Sequence, residues 1–361
     1  MKKAVFLVAT QYDNLGDLII NKCLIDELTK HVELHVDSHN TSEEFVKYFE
    51  LNDKVKFLKK SHGFSFKNAS ILKYLASNKI KFSYLFKSPG PIGFTEPSGI
   101  KDRVRGFVFD QIFKTTHNRG CKAYVIGSEV SLKNEIEIKE YQNLSKYFHQ
   151  HMVRSKSNVE FLNSIGVDNA NYIPDLCFLL YDKAAKKNNR TKVGISFRDL
   201  QDAKLDERIV QSVNKYVNYY LKKGKKVVFF YQVNRDYDYT KRLFLTYKGI
   251  AGVSFIEKCL NFEDIITYSD FESVISNRLH VLLLGFIHNS LTVPLINDNA
   301  STNKIKGIYS SIGSSTEPVT MLSDDQLDIS DRDLNRLLEE TKLINEEQSQ
   351  LCKLKISEIF N

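Results

Sequence analysis

Residues 271–286 read Phe-Glu-Ser-Val-Ile-Ser-Asn-Arg-Leu-His-Val-Leu-Leu-Leu-Gly-Phe, and the fold is decided by how this stretch divides. FESVIS is strand-like, and the apolar run that begins at Leu279 continues to about Asn289 as a buried helix. A strand passing straight into a helix is half of a parallel βα unit. The turn between them holds Arg278 and His280, two residues apart. A helix's first turn offers unpaired backbone N–H groups and a partial positive charge. Arg278 adds a planar fork suited to a carboxylate or phosphate, and His280 adds a group that exchanges a proton near neutral pH. One turn therefore combines anion binding with acid–base capacity, which points to an enzyme acting on an anionic substrate.

The same alternation extends in both directions. Upstream lie the strand KVGISFR (192–198), a helix over 205–222 stopped by Gly224, the strand KVVFFYQV (226–233), a helix over 236–246, the strand VSFIEK (253–258) and a short helix at 262–268. Downstream is the strand TVPLI (292–296). An earlier series begins with the buried strand KAVFLVA (3–9) and a helical stripe of Leu18, Ile19, Cys23, Leu24, Ile25 and Leu28. It continues through ELHVD (33–37), AYVIG (123–127), a helical stretch to about Phe148, HMVR (151–154), a helix ending near Gly166, and NYIPD (171–175). The polar run DKAAKKNNR (182–190) separates the two series as a linker. The expectation is an α/β chain of two Rossmann-like domains facing a cleft, residues 1–182 and 191–322. An acidic helical tail, 323–361, packs on the body through Leu334, Leu337, Leu338, Leu343 and Ile344. Residues 54–122 read as irregular, with a helix near 101–116.

A chain of 361 residues accommodates two domains, and 42% hydrophobic with 26% charged residues is globular. The five cysteines, Cys23, Cys121, Cys177, Cys259 and Cys352, are scattered without zinc spacing, as in reduced cytosolic proteins. The apolar part of MKKAVFLVAT is about six residues and leads into a polar loop, so it reads as a first strand rather than a leader. No run is long enough to span a bilayer. The expected location is the cytoplasm, with peripheral contact at the inner face of the membrane. The net charge of +7 is uneven: residues 54–122 hold fifteen Lys/Arg against three Asp/Glu, interleaved with Phe57, Phe64, Phe66, Phe82, Tyr84, Phe86 and Phe94. Such a window suits an anionic membrane face or a phosphorylated substrate, or is a solvated surface over buried aromatics. It contains no nucleic-acid-binding motif.

Strand ends supply the remaining candidates, because doubly wound sheets bind ligands outside the carboxyl ends of their strands. Asn14-Leu-Gly-Asp17 follows the first strand; Gly16 allows a close approach, and Asp17 either caps the helix or faces a ligand. Arg154 ends HMVR beside Ser155 and Ser157, natural N-caps, and is an anion contact or a surface residue. Asp175 follows Pro174, where turn geometry explains it as well as chemistry does. Arg198, in SFRD, occupies the position in the second series that the NLGD loop occupies in the first. Lys304 lies downstream of Arg278 and His280 and adds a third cation. His149 with His151, and His35 with His39, lack partners at metal-binding spacing, and no metal site is expected.

In this order, NLGD, VRSKS with LNSIGV, IPD, GISFRD, and SNRLH with NKIKG resemble the bacterial polysaccharide pyruvyltransferase family over about residues 5–313. The resemblance implies a GT-B-like fold and transfer of a pyruvyl group from phosphoenolpyruvate to two hydroxyls of a sugar. The product is a cyclic ketal on a capsular or other surface polysaccharide, or on its lipid-linked precursor, and phosphate is released. It implies Arg154 and Arg278 as anion-binding arginines, His280 as the acid–base histidine, and Asn14, Gly16 and Asp17 as the first-domain loop. Asp17 is then the candidate base or acceptor clamp, with Arg198, Lys304 and Asp175 completing the substrate contacts. The chemistry calls for no cofactor beyond phosphoenolpyruvate as donor substrate. One departure stands out: where family members often carry two or three glycines after the strand matching AYVIG, this chain reads Gly127-Ser128-Glu129. Two other readings fit the same residues: a GT-B glycosyltransferase using a nucleotide sugar, and a non-catalytic saccharide- or anion-binding protein on the same fold.

Overall fold

The structure is a computed structural model that describes residues 2–8, 14–38, 41–58, 81–92, 100–187, 189–296, 300–316, 319–320 and 334–361. Much of the basic aromatic window (59–80 and 93–99) and the start of the acidic tail (323–333) lie outside the described residues.

The first sheet is built from β1 (Lys3–Leu7), β2 (Glu33–Asp37), β3 (Val55–Phe57), β4 (Tyr84–Lys87), β5 (Gly90–Ile92), β6 (Lys122–Val130), β7 (Gln150–Val153) and β8 (Ala170–Tyr172). Its order is β3-β2-β1-β4-β6-β7-β8, with every pairing parallel. β5 takes over from β4 and pairs with the far half of β6. The crossovers include α1 (Leu15–Leu28), α2 (Glu43–Glu50), α3 (Ile100–Asn118), α4 (Glu135–Ser145) and α5 (Lys156–Ser164). The window read as irregular thus contributes three strands, and its expected helix is α3.

The second sheet holds β9 (Lys192–Ser196), β10 (Lys226–Phe229), β11 (Val253–Phe255), β12 (Phe271–Ser276), β13 (Leu291–Ile296) and β14 (Val319–Thr320), in the order β11-β10-β9-β12-β13-β14. Numbered from its own first strand this is 3-2-1-4-5-6, the Rossmann order, with the topological switch between β9 and β12. α6 (Ala203–Lys222), α7 (Tyr237–Leu245), α8 (Leu279–Ile287) and α9 (Ala300–Ser311) connect these strands, and α10 (Leu334–Glu358) forms the tail.

α6 illustrates how the sequence builds a layer. Asp202 accepts the N–H groups of Lys204 and Leu205, which starts the helix. Leu205, Ile209, Val213, Tyr216, Val217 and Tyr220 then recur at helical spacing and are buried. All but Leu205 pack with Val193, Ile195, Val227, Phe229 and Ile275 of the sheet, and each such burial contributes roughly 1.5–3 kcal/mol. α8 is different: eight of its nine residues are buried, and His280 is the exception. Its close seating requires Gly285, because a Cβ there would lie 2.8 Å from Val274 Cγ2 on β12.

The chain divides into two compact units. The first comprises 1–12, 20–176 and 352–361; the second comprises 13–19 and 177–351. Within the second unit, the tail helix is held by Asn345, whose side chain donates to the Phe286 carbonyl at 2.7 Å. Within the first, Phe360 stacks on His31 at 4.7 Å between ring centres and meets Tyr84 edge-on. No helix among the described residues is long and apolar enough to cross a membrane.

Candidate functional site

The carboxyl ends of β9 and β12 meet at the switch point of the second sheet, and backbone and side chains stitch them together. Ser276 Oγ donates to the Ser196 carbonyl at 2.5 Å and accepts the Arg278 N–H at 2.9 Å. The Asn277 side chain accepts from the Arg198 N–H at 2.9 Å and donates to the Arg198 carbonyl at 3.0 Å. These contacts fix Arg198 and Arg278 as neighbours. They also leave the first turn of α8 with no side-chain cap, since Arg278 occupies the N-cap position and contributes no capping bond.

The third strand end at this edge is that of β10, where the chain continues to Asn234-Arg235-Asp236. Asp236 is 2% exposed and grips Arg278 with both oxygens: Arg278 Nε donates to Oδ2 at 2.7 Å and Nη2 donates to Oδ1. Nη1 of Arg278 has no hydrogen bond to a described residue. Burial raises the Asp236 pKa from its ordinary value, against the opposing pull of Arg278, Arg235 and Arg198. Burial, and then the charge of Arg278, disfavours the Arg198 cation. Three arginines therefore act on one carboxylate, and the cluster carries an excess of positive charge suited to an anion.

The N-terminal loop joins this cluster. Asn14 forms an antiparallel bridge with Val233, next to the Asp236 turn. Its side chain accepts the Gly16 N–H at 3.0 Å, and its carbonyl accepts the Leu18 N–H at 3.1 Å. Asn14, rather than Asp17, is thus the residue that caps α1; Asp17 is buried inside the first turn. The close approach permitted by Gly16 is made by His280: a Cβ on Gly16 would lie 2.2 Å from His280 Nδ1 and 2.3 Å from Cγ. No side chain other than hydrogen fits while the imidazole is there. Lys304 lies on α9, part-buried, after β13.

Arg154 and Asp175 form a separate cluster in the first unit. Arg154 is 3% exposed, with Nη1 donating to Asp175 Oδ2 at 3.1 Å and Nε to Glu129 Oε2 at 3.4 Å. Ser155 caps α5 and also donates to Glu129 Oε1 at 3.2 Å. The carboxylate of the Gly127-Ser128-Glu129 departure therefore faces Arg154. The nine residues singled out in the sequence fall into two groups, one in each unit: Asn14, Gly16, Asp17, Arg198, Arg278, His280 and Lys304, and then Arg154 with Asp175.

Sequence reading did not find Asp236. The usable signal was its place just beyond a buried strand of the same series, the rule that had singled out Arg198. Ser276 and Asn277, which lock the two strand ends, are both within SNRLH but carry no chemistry that marks them in advance.

Three solved structures illustrate the fold. A glycosyltransferase from Rickettsia africae aligns with a TM-score of 0.58 at 14% identity, over 99% of this chain and 98% of its own. A UDP-GlcNAc 2-epimerase from Neisseria meningitidis gives 0.56 at 11%, over 98% and 94%. Its counterpart from Methanocaldococcus jannaschii gives 0.57 at 12%, over 96% and 93%. At such identities the likeness establishes the two-domain Rossmann-like architecture alone. No curated protein matches the chain at a significant level. The family model for polysaccharide pyruvyl transferase matches residues 14–299, from the loop that packs on His280 to the segment after β13. The chain belongs to the polysaccharide pyruvyl transferase family.

Proposed function

We propose that this protein transfers the pyruvyl group of phosphoenolpyruvate to two hydroxyls of a saccharide, probed most simply as a lipid-linked polysaccharide precursor, and forms a cyclic ketal. The observation that carries the reading is the packing of the Asn14-Leu-Gly-Asp17 turn on His280, beside the Arg278–Asp236 pair and Arg198. Phosphoenolpyruvate bears a carboxylate and a phosphate and needs cations for both. The Nη1 group of Arg278, Arg198 and the uncapped first turn of α8 supply them.

His280 delivers a proton to the methylene carbon, which leaves a cationic centre at C2 stabilised by the attached oxygen. One sugar hydroxyl forms a C–O bond to C2 and gives up its proton. A second hydroxyl then forms the other C–O bond, its proton passing to the departing phosphate as the C2–O bond to phosphate breaks. Asp17, in the first turn of α1, accepts a hydroxyl proton or orients the acceptor. Asp236 holds the Arg278 plane and keeps its charge where the donor anion lies.

The test is phosphate release from phosphoenolpyruvate plus a cell-envelope saccharide mixture, with mass spectrometry of the product. A mass gain matching a pyruvyl ketal is expected, and His280→Ala should slow turnover by about 10²–10⁴-fold. Undiminished turnover in that variant sinks the role given to His280.

A second reading, nucleotide-sugar transfer, draws on the fold shared with the Neisseria meningitidis epimerase, which is described as bound to UDP-GlcNAc. Thermal shifts separate the two. Stabilisation by nucleotide sugars with none from phosphoenolpyruvate would favour this second reading.

A further inference from the structure

The first unit holds a buried cation that the reaction above does not use. Lys87 is the last residue of β4, the strand beside β1 where the first sheet's order reverses. In register it lies level with Leu7, Val125 and His151, one row across four strands and on one face of the sheet. The three other residues of β4 are apolar or aromatic, and the lysine is buried with them, at 6% exposed. Its ammonium donates to the Ser88 carbonyl at 3.1 Å, and no carboxylate among the described residues pairs with it. Burial alone pulls the ammonium down to about 8.

The groups around it do not neutralise it. His151 is fully buried, with Nε2 2.5 Å from Ser128 Oγ and Nδ1 2.6 Å from Tyr141 Oη. Burial, and then the charge of Lys87, pushes His151 down to about 3, so the imidazole is neutral at pH 7. A neutral imidazole with one donor and one acceptor nitrogen satisfies both hydroxyl neighbours and leaves nothing for the ammonium. Arg154, at the end of β7, already meets two carboxylates. Among the described residues, Lys87 is thus the cation at this edge that lacks a counter-charge. An unpaired buried ammonium lowers stability, and a methionine would fill the same volume without that penalty. Such a residue is expected where a ligand supplies the missing charge, and the carboxyl edge at a switch point is where ligands enter these sheets.

We propose that Lys87 is an oxyanion-binding residue, taking a phosphate or carboxylate oxygen of a substrate at the carboxyl edge of the first sheet. Two of its three N–H groups make no hydrogen bond to a described residue. The inference stands apart from pyruvyl transfer, because it is read from binding and not from turnover.

The experiment compares wild type with Lys87→Met and Lys87→Gln on the full chain, with circular dichroism to confirm folding. Calorimetric titrations use phosphoenolpyruvate and a glycosyl diphosphate, and thermal shifts use inorganic phosphate. Without ligand, Lys87→Met should melt about 3 °C or more above wild type, as removal of an unpaired buried charge predicts. Its thermal response to phosphate should fall by half or more. A tenfold or greater loss of affinity for the glycosyl diphosphate alone assigns the oxyanion to the acceptor. The same loss for phosphoenolpyruvate alone assigns it to the donor. Unchanged responses to all three probes in both variants would overturn the proposal. So would a Lys87→Met protein that melts below wild type and responds to phosphate as wild type does. If neither substrate binds wild type, pyruvyl transfer fails as a reading, and the phosphate response still decides the role of Lys87.

Discussion

At the carboxyl edge of the second sheet three arginines act on one carboxylate, Asp236; at the same edge of the first sheet one arginine, Arg154, meets two carboxylates, Glu129 and Asp175. The two sheets share the 3-2-1-4 core order, so topology does not set this difference. The side chains at the strand ends do: the second cluster follows β9, β10 and β12, and the first lies at the ends of β6, β7 and β8. The second edge carries excess positive charge and is suited to an anion. The first edge is over-neutralised around Arg154 and keeps Lys87, unmatched among the described residues, inside the sheet row. The two edges thus differ in charge balance: the second has more cations than carboxylates, and the first, counting Lys87, has as many of one as of the other.

The largest effect should come from breaking the second edge. Asp236→Asn removes the carboxylate that engages Arg278, a buried pair with side-chain exposures of 13% and 3%. Leaving one partner of a buried pair uncompensated costs about 3–5 kcal/mol. Urea denaturation should show that loss, and phosphate should restore more stability to the variant than it adds to wild type. Equal phosphate responses would mean that the arginines do not act as a cation-rich cluster.

Titration probes the first edge. Folding lowers the Lys87 ammonium from its ordinary 10.5 to about 8, so between those pH values the unfolded chain binds more protons than the folded one. Stability from this group therefore rises with pH across that window, by about 3 kcal/mol in total. Cys121, pushed up to about 12 by burial, acts in the opposite direction above pH 9. Subtracting the curve of Lys87→Met from that of wild type removes such shared contributions. A flat difference between pH 8 and 10.5 would show that Lys87 is not a buried ammonium.

Gly16→Ala tests whether the N-terminal turn and His280 act together. The new methyl would sit 2.2 Å from the imidazole, and relieving that overlap costs about 1–3 kcal/mol. Phosphate release should fall at least tenfold with it. In the double variant Gly16→Ala/His280→Ala the ring is gone, so the stability loss should largely disappear, a coupling that independent sites do not show. Additive losses would separate the two residues.

The same pair shows what the sequence made legible. Strand-to-helix alternation and the polar turns at strand ends placed Arg278, His280, Arg198 and the NLGD loop, because those signals are local. Partnership was not local. Asp236 lies 42 residues from Arg278, and nothing in Asn234-Arg235-Asp236 names its partner. Gly16 was read as room for a ligand, and the room is taken by a side chain from far along the chain. Lys87 passed as one more cation in a basic window, because strand burial on both faces is invisible until the neighbouring strands are known.

The smallest expected effect is the most discriminating for the first edge. Glu129→Gln removes the weaker of the two carboxylates on Arg154: its contact is 3.4 Å and its side chain is 17% exposed, against 3.1 Å and 1% for Asp175. Asp175 still matches the guanidinium charge, so the loss should be about 1 kcal/mol or less, several times smaller than for Asp236→Asn. The variant should also bind inorganic phosphate more tightly than wild type, since a neutral amide no longer repels an anion approaching Arg154. A large destabilisation with no gain in phosphate affinity would show that Glu129 holds the cap of α5 through Ser155 and does not set the charge of this edge.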